Sequence, residues 1–275
     1  MATVAAPLYE KTRQPDVLSG TPRAHAIDRW IFVFMAGWFI AIVLAGFIPD
    51  SLMKIEAVQT GQRPPFPLVL HMHAVLMGSF LLLLLAQTWL MATGKRELHM
   101  RLGIAGMVLA VALVIVGFVL VGTNYQMLWG AVQSSTGAVR DDHLFTLRIW
   151  ENIMLLQIRI GVLFALFLAI GLRARGGNAG LHKRMMILAT VMALPAGIDR
   201  IPWLPHTMPG SPLSVDLYTL AAISPMFVWD VVRNRRVHEA YWIWAAVCLP
   251  FAVAVNLLWD TPGWHATAKQ IVGIG

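Results

Sequence analysis

Apolar residues in this chain come in long blocks separated by shorter polar stretches. Seven blocks stand out: residues 30–48, 67–92, 101–123, 145–171, 184–204, 215–232 and 241–259. A helix needs about 20 apolar residues to cross the hydrocarbon core of a bilayer. A segment in lipid must also satisfy its own backbone hydrogen bonds, so each block predicts an α-helix. The expected fold is all-α, an integral membrane bundle of seven transmembrane helices. Residues 1–29 read as a polar tail with no cleavable signal, 30–260 as the transmembrane domain and 261–275 as a second tail. The stretches 49–66 and 124–144 read as the longest connections.

Composition agrees with this and charge adds an orientation. Only 13% of residues are charged and 58% are hydrophobic, whereas a soluble domain carries about 25% charged residues. The Lys and Arg residues alternate with the blocks. Lys11, Arg13, Arg23 and Arg29 precede the first block, and Lys95, Arg96 and Arg101 follow the second. Arg173, Arg175, Lys183 and Arg184 follow the fourth, and Arg233, Arg235 and Arg236 the sixth. The opposite connections hold only Lys54, Arg63, Arg140 and Lys269. Positive loops stay cytoplasmic, so the expected N-terminus is cytoplasmic and the C-terminus periplasmic, in a bacterial inner membrane. The formal charge of +7 is thus a topology signal, with the lipid bilayer as partner and no nucleic acid. Cys248 is the only cysteine, which excludes intrachain disulfides and thiolate metal clusters.

Two patterns organise the middle of the chain. Leu98-His99-Met100-Arg101 and Leu181-His182-Lys183-Arg184 share the spacing L-H-x-R at an offset of 83, at which Gly78 also matches Gly161 and Gly94 matches Gly177. This suggests a tandem repeat of the second–third and fourth–fifth helices, both copies starting outside. Gly103, Gly106, Ala110 and Gly117 form a small-residue stripe for close helix packing. Pro195, Pro225 and Pro250 are expected inside the last three helices, where each removes a backbone bond and favours a kink.

Ionisable groups are costly in lipid, so those within the blocks are the candidate site. His71 and His73 open the second block. Residues two apart project to different helix faces, and His73 shares its stripe with Phe80 and Gln87, so His73 is read as facing the interior. In the fourth block Arg148, Glu151, Asn152 and Arg159 fall on one face, with Arg148 and Glu151 spaced for an ion pair. Arg159 lies deep and needs a carboxylate, backbone carbonyls or water, with Asp199 as the candidate carboxylate. Asp199, Arg200 and Asp216 add charge at the same outer depth, suggesting an outward-facing polar cavity. His99 and His182 sit at equivalent helix starts on the inner side, where they suit capping, phospholipid contact or ligation.

The string H-A-x-L-M-G-x-F-x-L, the G-K-R turn and L-H-M-R-L-G resemble the His-bearing helical hairpins of the cytochrome b561 class. That resemblance implies b haems held by histidines of neighbouring helices near the two membrane faces. Together with H-M-H-A, A-Q-T and L-H-K-R-M-M-I-L-A-T, the pattern over residues 67–235 is also similar to a group of uncharacterised bacterial multi-pass membrane proteins, which implies no activity. The chain departs from bis-histidine ligation at the outer face. The repeat equivalent of His73 is Leu156, with Gln157 beside it, and His143 and His206 fall in connections. His99 and His182 do match in depth. There is no nucleotide-binding G-x-x-x-x-G-K-[ST], no H-E-x-x-H, and no lysine in the seventh block to hold retinal. Three functions stay open. One is a redox protein with haem b, a metal or a quinone at His73 and its partners. The second is a transporter or binding protein for a small anionic solute. The third is an accessory or assembly subunit of a larger membrane complex.

Overall fold

A computed structural model describes residues 26–274, and among these every regular element is helical. The helices are α1 (Ile27–Gln59), α2 (Leu68–Ala92), α3 (Arg96–Ser134), α4 (Gly137–Ala174), α5 (Ala179–Val191), α6 (Pro195–Ile198), α7 (Leu213–Asn234), α8 (Glu239–Leu258) and α9 (Pro262–Ile271). Most of the expected N-terminal tail, residues 1–25, lies outside the described residues. Six helices, α1 to α4, α7 and α8, are long and apolar enough to cross a membrane. Large apolar side chains line their outer surfaces, among them Phe34, Trp38, Val108, Ile115, Val228 and Leu249. That surface suits lipid and not water, so the architecture is that of a helical membrane bundle.

The fifth block departs from the expected continuous helix. Asn178 caps α5 by accepting from the Leu181 amide at 2.9 Å. The helix then stops at Val191, four residues before Pro195, whose ring clashes with the carbonyl at that spacing. The amides of Met192, Ala193 and Leu194 bond three residues back instead, to Ala189, Thr190 and Val191, and Pro195 starts α6. Pro195 is therefore the first residue of a helix and not an interior kink; Pro225 and Pro250 do lie inside α7 and α8.

This interrupted element is the centre of the molecule. From Arg184 to Ile198 only Ala196 is exposed, and the core packs Phe39 of α1, Phe167 of α4 and Met226 of α7 around it. Gly46 and Gly197 let α6 lie directly on α1. A Cβ on Gly46 would fall 1.9 Å from the Gly197 carbonyl oxygen, so no larger residue fits without moving backbone.

Polar contacts collect at two ends of the bundle. At one, Asp28 accepts from Trp229 Nε1 at 3.1 Å and Arg233 Nε at 3.3 Å, and Asn178 donates to Glu239 at 2.6 Å. Arg184 there holds Asp230 through two bonds of 2.6 and 2.7 Å, and Tyr241 donates its hydroxyl to the same carboxylate at 2.5 Å. At the other end Asp50 accepts from Lys54 at 2.6 Å and from Arg200 at 3.3 Å. The chain from α5 to Arg200 thus runs from the first end to the second.

The expected outer connections are largely helical. α1 runs on to Gln59, and residues 124–144 belong to α3 and α4 apart from the short joint at Ser135 and Thr136. The expected C-terminal tail folds as α9, which packs on α4. Thr261 caps it by accepting from the Trp264 amide at 3.2 Å, and Pro262 occupies its first turn.

Candidate functional site

The sequence spacing L-H-x-R becomes a contact. His99 near the start of α3 and His182 near the start of α5 bring their rings to 6.4 Å between centroids, with planes at 78°. Both rings are half-buried. His182 Nδ1 lies 2.8 Å from the Gly171 carbonyl oxygen of α4. A carbonyl only accepts, so Nδ1 carries the hydrogen and Nε2 keeps a lone pair. His99 Nδ1 is buried and meets no hydrogen-bond partner among the described residues, and the same holds for Gln87 Oε1 on α2. The Gln87 side chain packs toward Gly103, one turn beyond His99 on α3.

The neighbourhood is basic. Arg96 acts electrostatically on His99 and Arg175 on His182. Arg175 also reaches α3, 3.5 Å from Met107 Sδ. α2 packs on α3, α3 on α4 and α4 on α5, but α3 and α5 do not pack along their lengths. The two rings therefore meet edge-on where the starts of these two helices come together.

His73 and His71 part company. His73 is half-buried, and its ring lies close to Gly117 of α3. Its Nδ1 has no hydrogen-bond partner among the described residues. His71 is exposed, edge-on to Phe66 at 6.0 Å. The glycine stripe of α3 is where α2 docks: Gly117 meets His73, Gly106 meets Leu83 and Gly103 meets Gln87. His73 lies 19 residues before the end of α2, about 28 Å by helical rise. It belongs to the opposite end of the bundle from His99 and His182.

The charged residues expected at the outer end pair differently from the sequence expectation. Arg148 and Glu151 do not bond to each other. Arg148 donates to Asp260 at 2.7 and 3.3 Å, and this bonding is the main reason the Asp260 carboxyl is held below its ordinary value of 3.8. Glu151 is buried, accepting from the Tyr125 hydroxyl at 2.8 Å and facing His265 Nδ1 at 2.5 Å. Arg159, also buried, pairs with Asp216 at 2.7 Å and not with Asp199. The helix break and the turn after it carry Asp199 elsewhere, with Oδ1 unbonded among the described residues, while α7 presents Asp216. Arg200 is engaged by Asp50. These charges thus fall into separate pairs, Arg148–Asp260, Arg159–Asp216 and Arg200–Asp50, while Arg148 and Glu151 line one cleft together with His265 and Lys269.

Two groups escaped the sequence reading. Arg184 reads in the sequence only as a loop cation, with no sign of its partners Asp230 and Tyr241. His265 lies in a stretch read as a tail, although Thr261-Pro262 is a helix-start signal that would have located α9. Compared with protein-family profiles, curated proteins and solved structures, the chain gives no match.

Proposed function

We propose that this protein is a multi-pass redox protein of a bacterial inner membrane that holds haem b between His99 and His182. The observation that carries this reading is the 6.4 Å separation of the two rings. Two imidazoles on opposite sides of one metal, with metal–nitrogen bonds of about 2.0 Å, place their centroids about 6 Å apart. His182 is already oriented for ligation by the Gly171 carbonyl, the arrangement that metal-bound histidines favour. The buried, unbonded Nδ1 of His99 adds a polar atom that a bound group would account for.

Ligand number favours a tetrapyrrole over a bare ion. Among the described residues no group of three or more His, Cys, Asp or Glu side chains is placed to hold a metal. Protein zinc sites need three or four such ligands, whereas haem brings four nitrogens of its own and asks the chain for two axial ones. Arg96 and Arg175 suit the propionates. When bound, haem supplies one-electron transfer; the chain supplies ligands, orientation and charge balance.

The distribution of basic residues supports an orientation as well. The basic end that carries His99 and His182 is cytoplasmic, with the N-terminus, and α9 is periplasmic. The interrupted α5–α6 element makes the fifth of seven crossings. Alkaline phosphatase fused after Gly275 is then active and a fusion in residues 173–178 inactive; the reverse pattern inverts the orientation.

The test of the site is an absorption spectrum of protein purified from haem-supplied cells, with and without dithionite. A reducible haem spectrum is expected in the wild type, lost in His99→Ala and in His182→Ala, and kept in His71→Ala. No haem in the wild type, or haem kept in both histidine variants, overturns the proposal. In the first case the orphaned Nε of buried Arg159 makes binding of a small anion the next reading.

A further inference from the structure

Glu151, His265 and Asp260 form a hydrogen-bonded row at the outer end, remote from the histidine pair. His265 Nδ1 lies 2.5 Å from Glu151 Oε2, and its Nε2 lies 3.0 Å from Asp260 Oδ1. An ionised carboxylate can only accept, so a carboxylate at each ring nitrogen calls for a hydrogen on each. Neutral imidazole provides one. The row therefore holds one proton more than a neutral histidine and two carboxylates do together. With that proton, the charges of Glu151, His265, Asp260 and Arg148 cancel.

Every element around the row contributes a group. α3 brings Tyr125, which donates to Glu151 Oε1 at 2.8 Å. α4 brings Arg148, bonded to Asp260, and Asn152, whose Oδ1 accepts from the Asp260 amide at 3.0 Å. α9 itself brings Lys269, which with Arg148, Glu151 and His265 lines a cleft of about 290 Å³. Glu151 is buried, so a change of charge there is felt strongly.

We propose that this row is a proton-binding site whose occupancy docks α9 on α4. When the proton leaves, one nitrogen–oxygen contact becomes two facing lone pairs, and the four groups carry a net negative charge, with Glu151 buried and Asp260 and Arg148 half-exposed. The contact that fails is one of the two that hold His265. Where that contact is the one to Glu151, the remaining side-chain tie from α9 itself to Glu151 is Trp264 Nε1, which donates to the Glu151 carbonyl at 2.8 Å. The chain turns from α8 into α9 at Asp260, whose backbone sits in the left-handed region at φ 56°.

Hydrogen–deuterium exchange of the full-length protein in nanodiscs tests this, read by mass spectrometry on peptides covering residues 262–271. Rates are corrected for intrinsic exchange over about pH 5 to about pH 10. In the wild type, protection of α9 falls by about tenfold as the proton is lost, the scale of one charge-assisted hydrogen bond. Glu151→Gln provides the sharper arm. Its amide can donate to His265 Nδ1 and still accept from Tyr125, which completes the row without the extra proton. α9 then stays protected across the whole range, while the α4 peptide 160–170 exchanges as in the wild type. A flat wild-type profile, a Glu151→Gln profile that follows the wild type, or an α9 unprotected at every pH in Glu151→Gln overturns the proposal. None of these outcomes depends on haem.

Discussion

Arg159 of α4 and Asp216 of α7 form a 2.7 Å ion pair inside the bundle, 57 positions apart in sequence. Only one guanidinium nitrogen is engaged by the carboxylate, while Asn256 approaches the other carboxylate oxygen at 3.4 Å. Breaking such a pair from one side strands a buried charge, at a cost of about 3–5 kcal/mol. Asp216→Asn is therefore expected to lower the thermal unfolding temperature in detergent markedly. The double variant Arg159→Met, Asp216→Leu recovers most of the loss, because well-packed apolar groups tolerate the site better than one orphaned ion. Additive losses in the double variant would show that the pair is not coupled.

Tyr241 makes a more modest contribution. Its hydroxyl donates at 2.5 Å to an Asp230 carboxylate that Arg184 already binds twice. A hydrogen bond to a charged group contributes about 1.5–3 kcal/mol. Tyr241→Phe should show a loss in that range in chemical unfolding, whereas Asp230→Asn should lose more because Arg184 is then buried without its counter-ion. Equal losses in the two variants would contradict this ranking.

Glycine positions separate by what surrounds them. Gly46→Ala drives a methyl group into the Gly197 carbonyl, and neither partner is a side chain that can swing away. Overpacking of this kind costs about 1–3 kcal/mol, and more where backbone must move. Gly37, on the same helix, has nothing within 4 Å of an added Cβ, so Gly37→Ala should be neutral or slightly stabilising. Melting curves of the two variants side by side make the comparison. Matching curves would mean that α1 and α6 separate at little cost.

Acid sensitivity follows from Asp260. Hydrogen bonding from Arg148 holds its carboxyl below 3.8 in the folded protein. A depressed carboxyl stabilises the fold above its unfolded value and loses that contribution as the pH falls through the folded one. The pair is half-exposed, so the effect is small. Thermal stability of the wild type should decline below about pH 4, and Asp260→Asn should be less stable at neutral pH with a shallower acid decline. An unchanged acid slope in the variant would assign the decline to other carboxylates.

The long helices were legible because lipid imposes a simple demand, and unbroken apolar length meets it for α1 to α4, α7 and α8. The matched depth of His99 and His182 was equally visible, since two copies of L-H-x-R at one offset place them alike. What the sequence hid is specific to each case. The amphipathic ends of α3 and α4, from Asn124 to Leu144, carry polar residues that read as a loop once apolarity is the signal. The partner of Arg159 depends on how the chain turns after Ile198, and several carboxylates stand at similar depth. His265 meets Glu151 across 114 positions, a closure that no local pattern encodes.

The interrupted α5–α6 element has a consequence for how the chain enters the membrane. A segment covered by protein along its length gains little from lipid on its own account, and α5 carries Arg184, whose counter-ion Asp230 is synthesised 46 residues later. Glycosylation mapping of truncated chains is expected to find this segment unanchored when synthesis stops before α7, and spanning once α7 is present. Assembly is then ordered by a charge that waits for its partner: the helices that greet the lipid come first, and the one that fills the centre settles after the helix that follows it.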